Sequence, residues 1–365
     1  MVSVIAPSAP AQTSQRSAAI GWMRVIAIIG VVLIHASGVA ASTESLRGTP
    51  VFTVALLLNT WALWCVPLFV LVSGALLLRP GPMAGGLGAF YRRRASRLLA
   101  PLVFWNVFYV LFHAIVRHDA VTWKWLVLVV LEGRVYTALY FFWILVGLYI
   151  LAPFLWAAVR DLSPTARLAV GAGVAAATCT WTTTLGVLTY VGGDANPGTQ
   201  NIVTLCVPYI GVFMLGGALG ELTPTRRAAI FGLLLAVGGS ALTVWQRFGG
   251  APHWTWVISP PNAWSWTVVG STAGVWLFLW WAARPGTLLG SGVPAVIAEK
   301  LGALTLGVFG VHLAVLYFLT LWIAPQMAEG SIRLPALLAL CTATIVCSWA
   351  VAWLMSLVPY LRRVV

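Results

Sequence analysis

IGWMRVIAIIGVVLIHASGVAA, residues 20–41, is an apolar run whose only titratable side chains are Arg24 and His35. A helix rises 1.5 Å per residue, so a run of this length crosses the roughly 30 Å hydrocarbon layer of a bilayer while bonding its own backbone throughout. Nine more such runs follow: Val51–Leu78, Leu98–Val116, Leu139–Val159, Ala166–Thr184, Ile202–Glu221, Ala228–Trp245, Trp264–Ala283, Ala303–Ala324 and Leu334–Val358. Val121–Leu131 is apolar but short, which suits a helix lying at the membrane interface. With 61% hydrophobic and 8% charged residues in 365 positions, the chain cannot wrap one core in water-facing side chains. It reads as an all-α, polytopic membrane protein of about ten transmembrane helices.

A net charge of +13 suggests nucleic acid at first sight, yet the basic residues lie between apolar runs, where the positive-inside rule sorts them. No nucleic-acid partner is expected. With both termini cytoplasmic, about fifteen of the 21 Lys and Arg residues fall inside, and only Arg47, Arg117, Lys124, Arg134, Arg247 and Arg333 fall outside. The opposite orientation inverts this bias, so the chain reads as a multi-pass protein of the cell membrane. Met1–Ser17 is small, polar and without signal-peptide features, and residues 1–17 are expected as a disordered cytoplasmic tail before a single membrane domain, 18–365. External loops are short, the longest being about Arg117–Ala138 and Gln246–Ala263, so the chemistry belongs to the helices. Cys65, Cys179, Cys206, Cys341 and Cys347 lie in apolar runs without metal-ligand spacing; they read as packing residues, and no metal is expected.

A titratable group inside a span costs several kcal/mol and is usually kept for a function. His35 and His312 are the two candidates, each about ten residues from the cytoplasmic start of its span. Arg24 precedes His35 by eleven positions, which returns to nearly the same helix face about 16 Å away. One extended molecule can touch both. Coenzyme A fits, with phosphates at the cytoplasmic surface and a pantetheine arm reaching His35. Snorkelling of Arg24 beside a satisfied packing histidine accounts for the spacing equally well. Tyr91-Arg92-Arg93-Arg94-Ala95-Ser96-Arg97 leads into the third span, where guanidinium groups and a helix start both favour anions. A positive-inside anchor is the plainer reading of that cluster by composition alone.

Five segments, in order, resemble the acyltransferase-3 family of integral membrane O-acyltransferases. They are Arg24 to His35 with Ala36-Ser37, Pro67 to Gly74, Arg94-Ala95-Ser96-Arg97 before Pro101, Phe142-Trp143-Ile144-Leu145 with Tyr149 and Pro153, and Leu306 to His312. The likeness is to the subgroup containing the enterobacterial common antigen O-acetyltransferase. It implies a membrane enzyme that uses cytoplasmic acyl-CoA, above all acetyl-CoA, as donor substrate, with no permanently bound cofactor. His35 would be the general base, and Arg24, Arg93, Arg94 and Arg97 would hold the coenzyme A phosphates. The acceptor would be a hydroxyl of a glycan, lipid-linked sugar or similar small molecule, which His312 would orient. Beside it, Trp143 is placed to stack on a sugar ring, although tryptophans mostly anchor helices at the interface. Tyr149 and Asn106 are candidates to hydrogen-bond the sugar, and each could equally join two helices. Relatives in that subgroup often carry a histidine where this chain has Phe141, a departure that bears on acceptor binding.

No acidic residue lies within a span, so a hydroxyl, amide or backbone carbonyl would have to orient His35; Glu132 is the nearest carboxylate candidate. Ser73 beside Gly74 reads as helix packing, and His113, His118 and His253 read as solvent-facing loop-edge residues. The contrasting function is a secondary transporter using His35 and His312 as a proton relay. The lack of membrane carboxylates and of an internal repeat stands against it.

Overall fold

The computed structural model describes residues 9–192, 201–249 and 252–365. Among the described residues there is no strand, and eight helices are long and apolar enough to cross a membrane. The first helix, α1, is Ala9–Ala41, with Ala18–Ala41 as its apolar part. It therefore runs back into the segment expected as a tail, of which residues 1–8 lie outside the described residues. Helices α2 (Pro50–Trp61) and α3 (Cys65–Leu77) form one span through a 3-10 turn at Ala62–Trp64. Pro67 has no N–H and its ring crowds the carbonyl four residues back, at Leu63, which is where the ladder tightens into that turn.

A short α4 (Pro80–Met83) precedes α5 (Gly86–Ile115). The nine-residue α6 (Trp123–Leu131) buries no residue and is too short to cross, as Val121–Leu131 suggested. Then come α7 (Tyr140–Val159), α8 (Pro164–Gly192), α9 (Ile210–Leu219), α10 (Arg226–Arg247), α11 (His253–Ile258) and α12 (Trp266–Ala282). The last three are α13 (Gly292–Ala303), α14 (Thr305–Ala328) and α15 (Leu334–Leu357). Thr49, Thr122, Thr225 and Ser265 cap α2, α6, α10 and α12 by accepting from the amides of Phe52, Trp125, Ala228 and Val268.

Two of the ten expected spans are not among the eight long apolar helices. Trp264–Ala283 forms the 17-residue α12. In Ile202–Glu221, residues 202–206 are turns, and helical backbone begins only at Val207. Such irregular backbone is tolerated at membrane depth when protein encloses it. Every residue from Gly211 to Leu219 is buried. Gly216 lies against the backbone of Leu71 in α3 and Gly211 against that of Ala175 in α8, with no room for a Cβ.

The centre of the bundle is α1, which packs on α2, α3, α13, α14 and α15. Gly21 meets the backbone of Ala298, and Gly30 meets Cys65, which fixes the depth and rotation of the helix that carries Arg24 and His35. On the outside, Leu99, Val103, Val107, Leu111 and Ile115 of α5 are exposed at four-residue intervals, a single apolar stripe suited to lipid. Cys65, Cys179, Cys206 and Cys341 are buried packing residues; Cys347 departs from that reading and is exposed.

Candidate active site

His35 of α1 and His312 of α14 meet inside the bundle, their ring centroids 5.3 Å apart and their planes inclined at 45°. His312 is fully buried, with Nδ1 2.7 Å from the Phe309 carbonyl oxygen. A carbonyl only accepts, so Nδ1 carries the hydrogen and the neutral ring keeps its lone pair on Nε2. Among the described residues that Nε2 has no hydrogen-bond partner. Around it, α5 grips α14. The Tyr109 hydroxyl donates to the Gly310 carbonyl at 2.8 Å and accepts from the Ala314 amide at 3.2 Å, while Trp105 covers Gly310 so closely that a side chain there would collide. Beside His35, Asn59 donates to the Ile34 carbonyl, and Ser37 is occupied by the Leu33 carbonyl.

On one side of the pair lies a cavity of about 490 Å³ lined by Arg24, Arg79, Arg94 and Arg97, with Ser73, Tyr149 and the start of α14. The C-terminal Val365 lines it too, so the start of the first span and the C-terminus share one end of the bundle, the end that charge asymmetry assigns to the cytoplasm. Trp105 holds that terminus by donating to the Val364 carbonyl. Among the described residues Arg24, Arg94 and Arg97 make no ion pair, and Nε of Arg94 is buried without a partner. These are donors placed for an anion. Pro101 and Pro153, lacking N–H groups, leave the Arg97 and Tyr149 carbonyls without an α-helical partner at the cavity wall.

Several expected residues fall elsewhere. Arg93 donates to the Pro82 and Ala84 carbonyls and does not line the cavity; it ties down the turn before α5. Tyr149, expected near the acceptor, stands with the arginines. Asn106 donates to Leu102 in its own helix, Trp143 packs over Gly133, and neither lines this cavity or the outer one. Arg79, one of the basic residues that charge asymmetry counts as cytoplasmic, and Ser73, which the sequence suggests is a packing residue, both line the arginine cavity; the packing belongs to Gly74, which abuts the Phe213 backbone.

On the other side a cavity of about 420 Å³ is lined by His35, His113, Arg117, Arg134, Tyr136 and Tyr317, among others. The two cavities share no lining residue. Phe69, Phe141 and Phe309 wall the inner end of the arginine cavity, with Phe141 5.8 Å from Phe69 and 5.4 Å from Phe309, and Phe309 5.8 Å from His312. Phe141, the departure noted in the sequence, is thus part of a partition. His113 is not a loose solvent-facing residue: Nδ1 is 2.7 Å from Asp119 and Nε2 3.1 Å from the Val135 carbonyl. That hydrogen bond, followed by the Arg117 charge, holds the Asp119 carboxyl below its ordinary range. Burial pushes the Tyr136 phenol up. Glu132 is exposed and bonds neither histidine.

Residues 17–353 match the model of a family described as an acyltransferase domain. The chain belongs to the acyltransferase-3 family. No curated protein and no solved structure matches it. The match spans both histidines, the four cavity arginines and the aromatic partition, so this membrane acyltransferase carries its histidine pair, His312 buried and His35 partly exposed, between a cationic cavity and a second cavity on the far side. Sequence reasoning passed over Tyr109, Asn59 and Phe309. The signal for Tyr109 was Trp105 four residues earlier, which puts two polar-tipped aromatics on one helix face.

Proposed function

We propose that this acyltransferase moves an acyl group, most simply acetyl, from cytoplasmic acyl-CoA to the hydroxyl of a sugar or similar acceptor that enters the outer cavity. The observation that carries this reading is the His35–His312 pair between two cavities of different chemistry. Arg24, Arg94, Arg97 and Arg79 would hold the coenzyme A phosphates, with Tyr149 and Ser73 along the arm. His35 would take the proton of the acceptor hydroxyl as its oxygen attacks the thioester carbonyl carbon. The tetrahedral intermediate then collapses, the carbon–sulfur bond breaks, and the coenzyme A thiolate recovers the proton from His35. His312, with its lone pair on Nε2, would orient the acceptor hydroxyl. The thioester must pass Phe309, so turnover requires the aromatic partition to open.

His312 is a second candidate for the base because its tautomer is already fixed by Phe309. The resemblance to the subgroup containing the common-antigen O-acetyltransferase, from which Phe141 in the fourth helix departs, favours a glycan acceptor on a cell-membrane enzyme. The test is release of coenzyme A thiol by purified protein given acetyl-CoA and a total glycan and lipid extract, with mass spectrometry of the product. Thiol release that depends on the extract, with an acetyl-mass gain on one of its components, is the expected result. Protein that leaves acetyl-CoA untouched would instead fit a carrier.

A further inference from the structure

Resting on that reading of the outer cavity as the acceptor site, we infer that the acceptor is an anion: a hydroxylated molecule whose phosphate or carboxylate binds Arg134, beside Arg117, while its hydroxyl stands at His35. All three residues line one cavity. Its charge is uncompensated. Asp119 is the single carboxylate paired there, 3.0 Å from Nε of Arg117 and 2.7 Å from Nδ1 of His113. The two ring nitrogens of His113 are taken by Asp119 and the Val135 carbonyl, so this side chain adds no acid that could neutralise Arg134. Arg134 has no carboxylate within ion-pair distance among the described residues, Glu132 two positions away included.

Topology does not explain this charge. The positive-inside rule drains arginine from outer segments, yet two of the six basic residues expected outside converge on the cavity that also holds His35. Arg117 and Arg134 are exposed side chains at the rim of this cavity, and the planar fork of a guanidinium matches phosphate or carboxylate. Thr137 and Tyr317 line the same space and bring hydroxyls that suit the uncharged part of a sugar, whereas the Thr320 hydroxyl there already donates to the Leu316 carbonyl.

Ligand-observed NMR on protein in neutral maltoside micelles, with glucose 6-phosphate, glucuronate and glucose as probes, tests this. At least one anionic probe should bind wild type about tenfold or more tighter than glucose, and Arg134→Gln should remove the difference while the control Arg247→Gln keeps it. Preference for glucose 6-phosphate alone identifies phosphate as the group; equal binding of glucuronate identifies a general anion site. The cytoplasmic arginines also attract phosphate, so only binding lost in Arg134→Gln counts. Equal binding of glucose, no binding by either anion, or an anion preference that survives Arg134→Gln overturns the inference. So does phosphatidylglycerol binding that is lost in Arg134→Gln with no binding of the soluble probes, which assigns the residue to lipid headgroups. The titration reads the anion site and thiol release reads the reaction, so the two failures are told apart.

Discussion

The imidazoles of His35 and His312, 277 positions apart in the chain, lie 5.3 Å apart at their centroids, and only one of them, His35, lines the outer cavity. Two rings this close act as a unit. His35→Ala should lower acyl transfer by about 10²–10⁴ while leaving acyl-CoA binding intact, since no lining residue of the arginine cavity is shared with it. The double variant His35→Ala/His312→Ala should then cost about as much as the worse single one. Losses that multiply instead would mean that the two histidines work independently.

In the arginine cavity, Arg94→Ala and Arg97→Ala should each weaken acyl-CoA binding about tenfold. The loss should shrink as salt rises, because added ions already screen the phosphate contact. Lysine should restore only part of it. Arg93→Ala should behave differently: its guanidinium is spent on the Pro82 and Ala84 carbonyls, so thermal stability should fall more than affinity. Equilibrium binding and melting curves on the three variants separate these roles, and equal affinity loss at Arg93 would put that side chain back in the donor site.

The aromatic partition makes a prediction of its own. Phe309→Leu shortens the ring that stands between the arginine cavity and His312, but keeps the backbone carbonyl that fixes the His312 tautomer. Water should then reach the thioester more easily, and hydrolysis of acetyl-CoA without acceptor should rise relative to transfer. Unchanged hydrolysis would mean that Phe309 is core packing and the passage lies elsewhere.

What one helix determines was legible in the sequence, and what several helices build together was not. Arg24 and His35 share a helix, so their separation follows from helical geometry alone. Arg93 and Arg94 are adjacent and chemically identical; a 100° turn sends one to loop carbonyls and the other into the cavity, and only packing decides which. Phe141 looked like an acceptor-site change until α3 and α14 placed Phe69 and Phe309 beside it. Hydropathy alone made Ile202–Glu221 resemble a span. Gly211, Gly216 and Gly217 were the cue that this helix is short and enclosed, because such glycines serve close backbone contact.

At the mouth of the outer cavity, pH should act through Asp119. Its carboxyl is held below the ordinary range, first by the His113 hydrogen bond and then by Arg117, so it binds protons less readily folded than unfolded. Its stabilisation is therefore present above the unfolded value of about 3.9 and is lost as pH falls through the lowered folded value. Asp119→Asn should melt at a lower temperature than wild type at neutral pH, and the gap should close progressively below about pH 4. A gap that is constant with pH would show that the carboxylate charge contributes nothing.

Tyr109 offers the sharpest separation of positioning from stability. Its hydroxyl bridges the Gly310 carbonyl and the Ala314 amide, a pair four residues apart that flanks His312 on α14. In Tyr109→Phe these two groups remain able to bond each other as an ordinary helical pair, so little hydrogen bonding is lost and the melting temperature should move only slightly. The turn carrying His312 would relax from the geometry the hydroxyl imposes, and a misplacement of about 1 Å near reacting groups can cost on the order of 10²-fold in rate. Transfer should thus fall far more than stability, and Trp105, which clamps the neighbouring Gly310 through its ring, should limit the fall to kcat without altering acyl-CoA affinity. A variant with wild-type kcat and a lowered melting temperature would reduce Tyr109 to a structural residue.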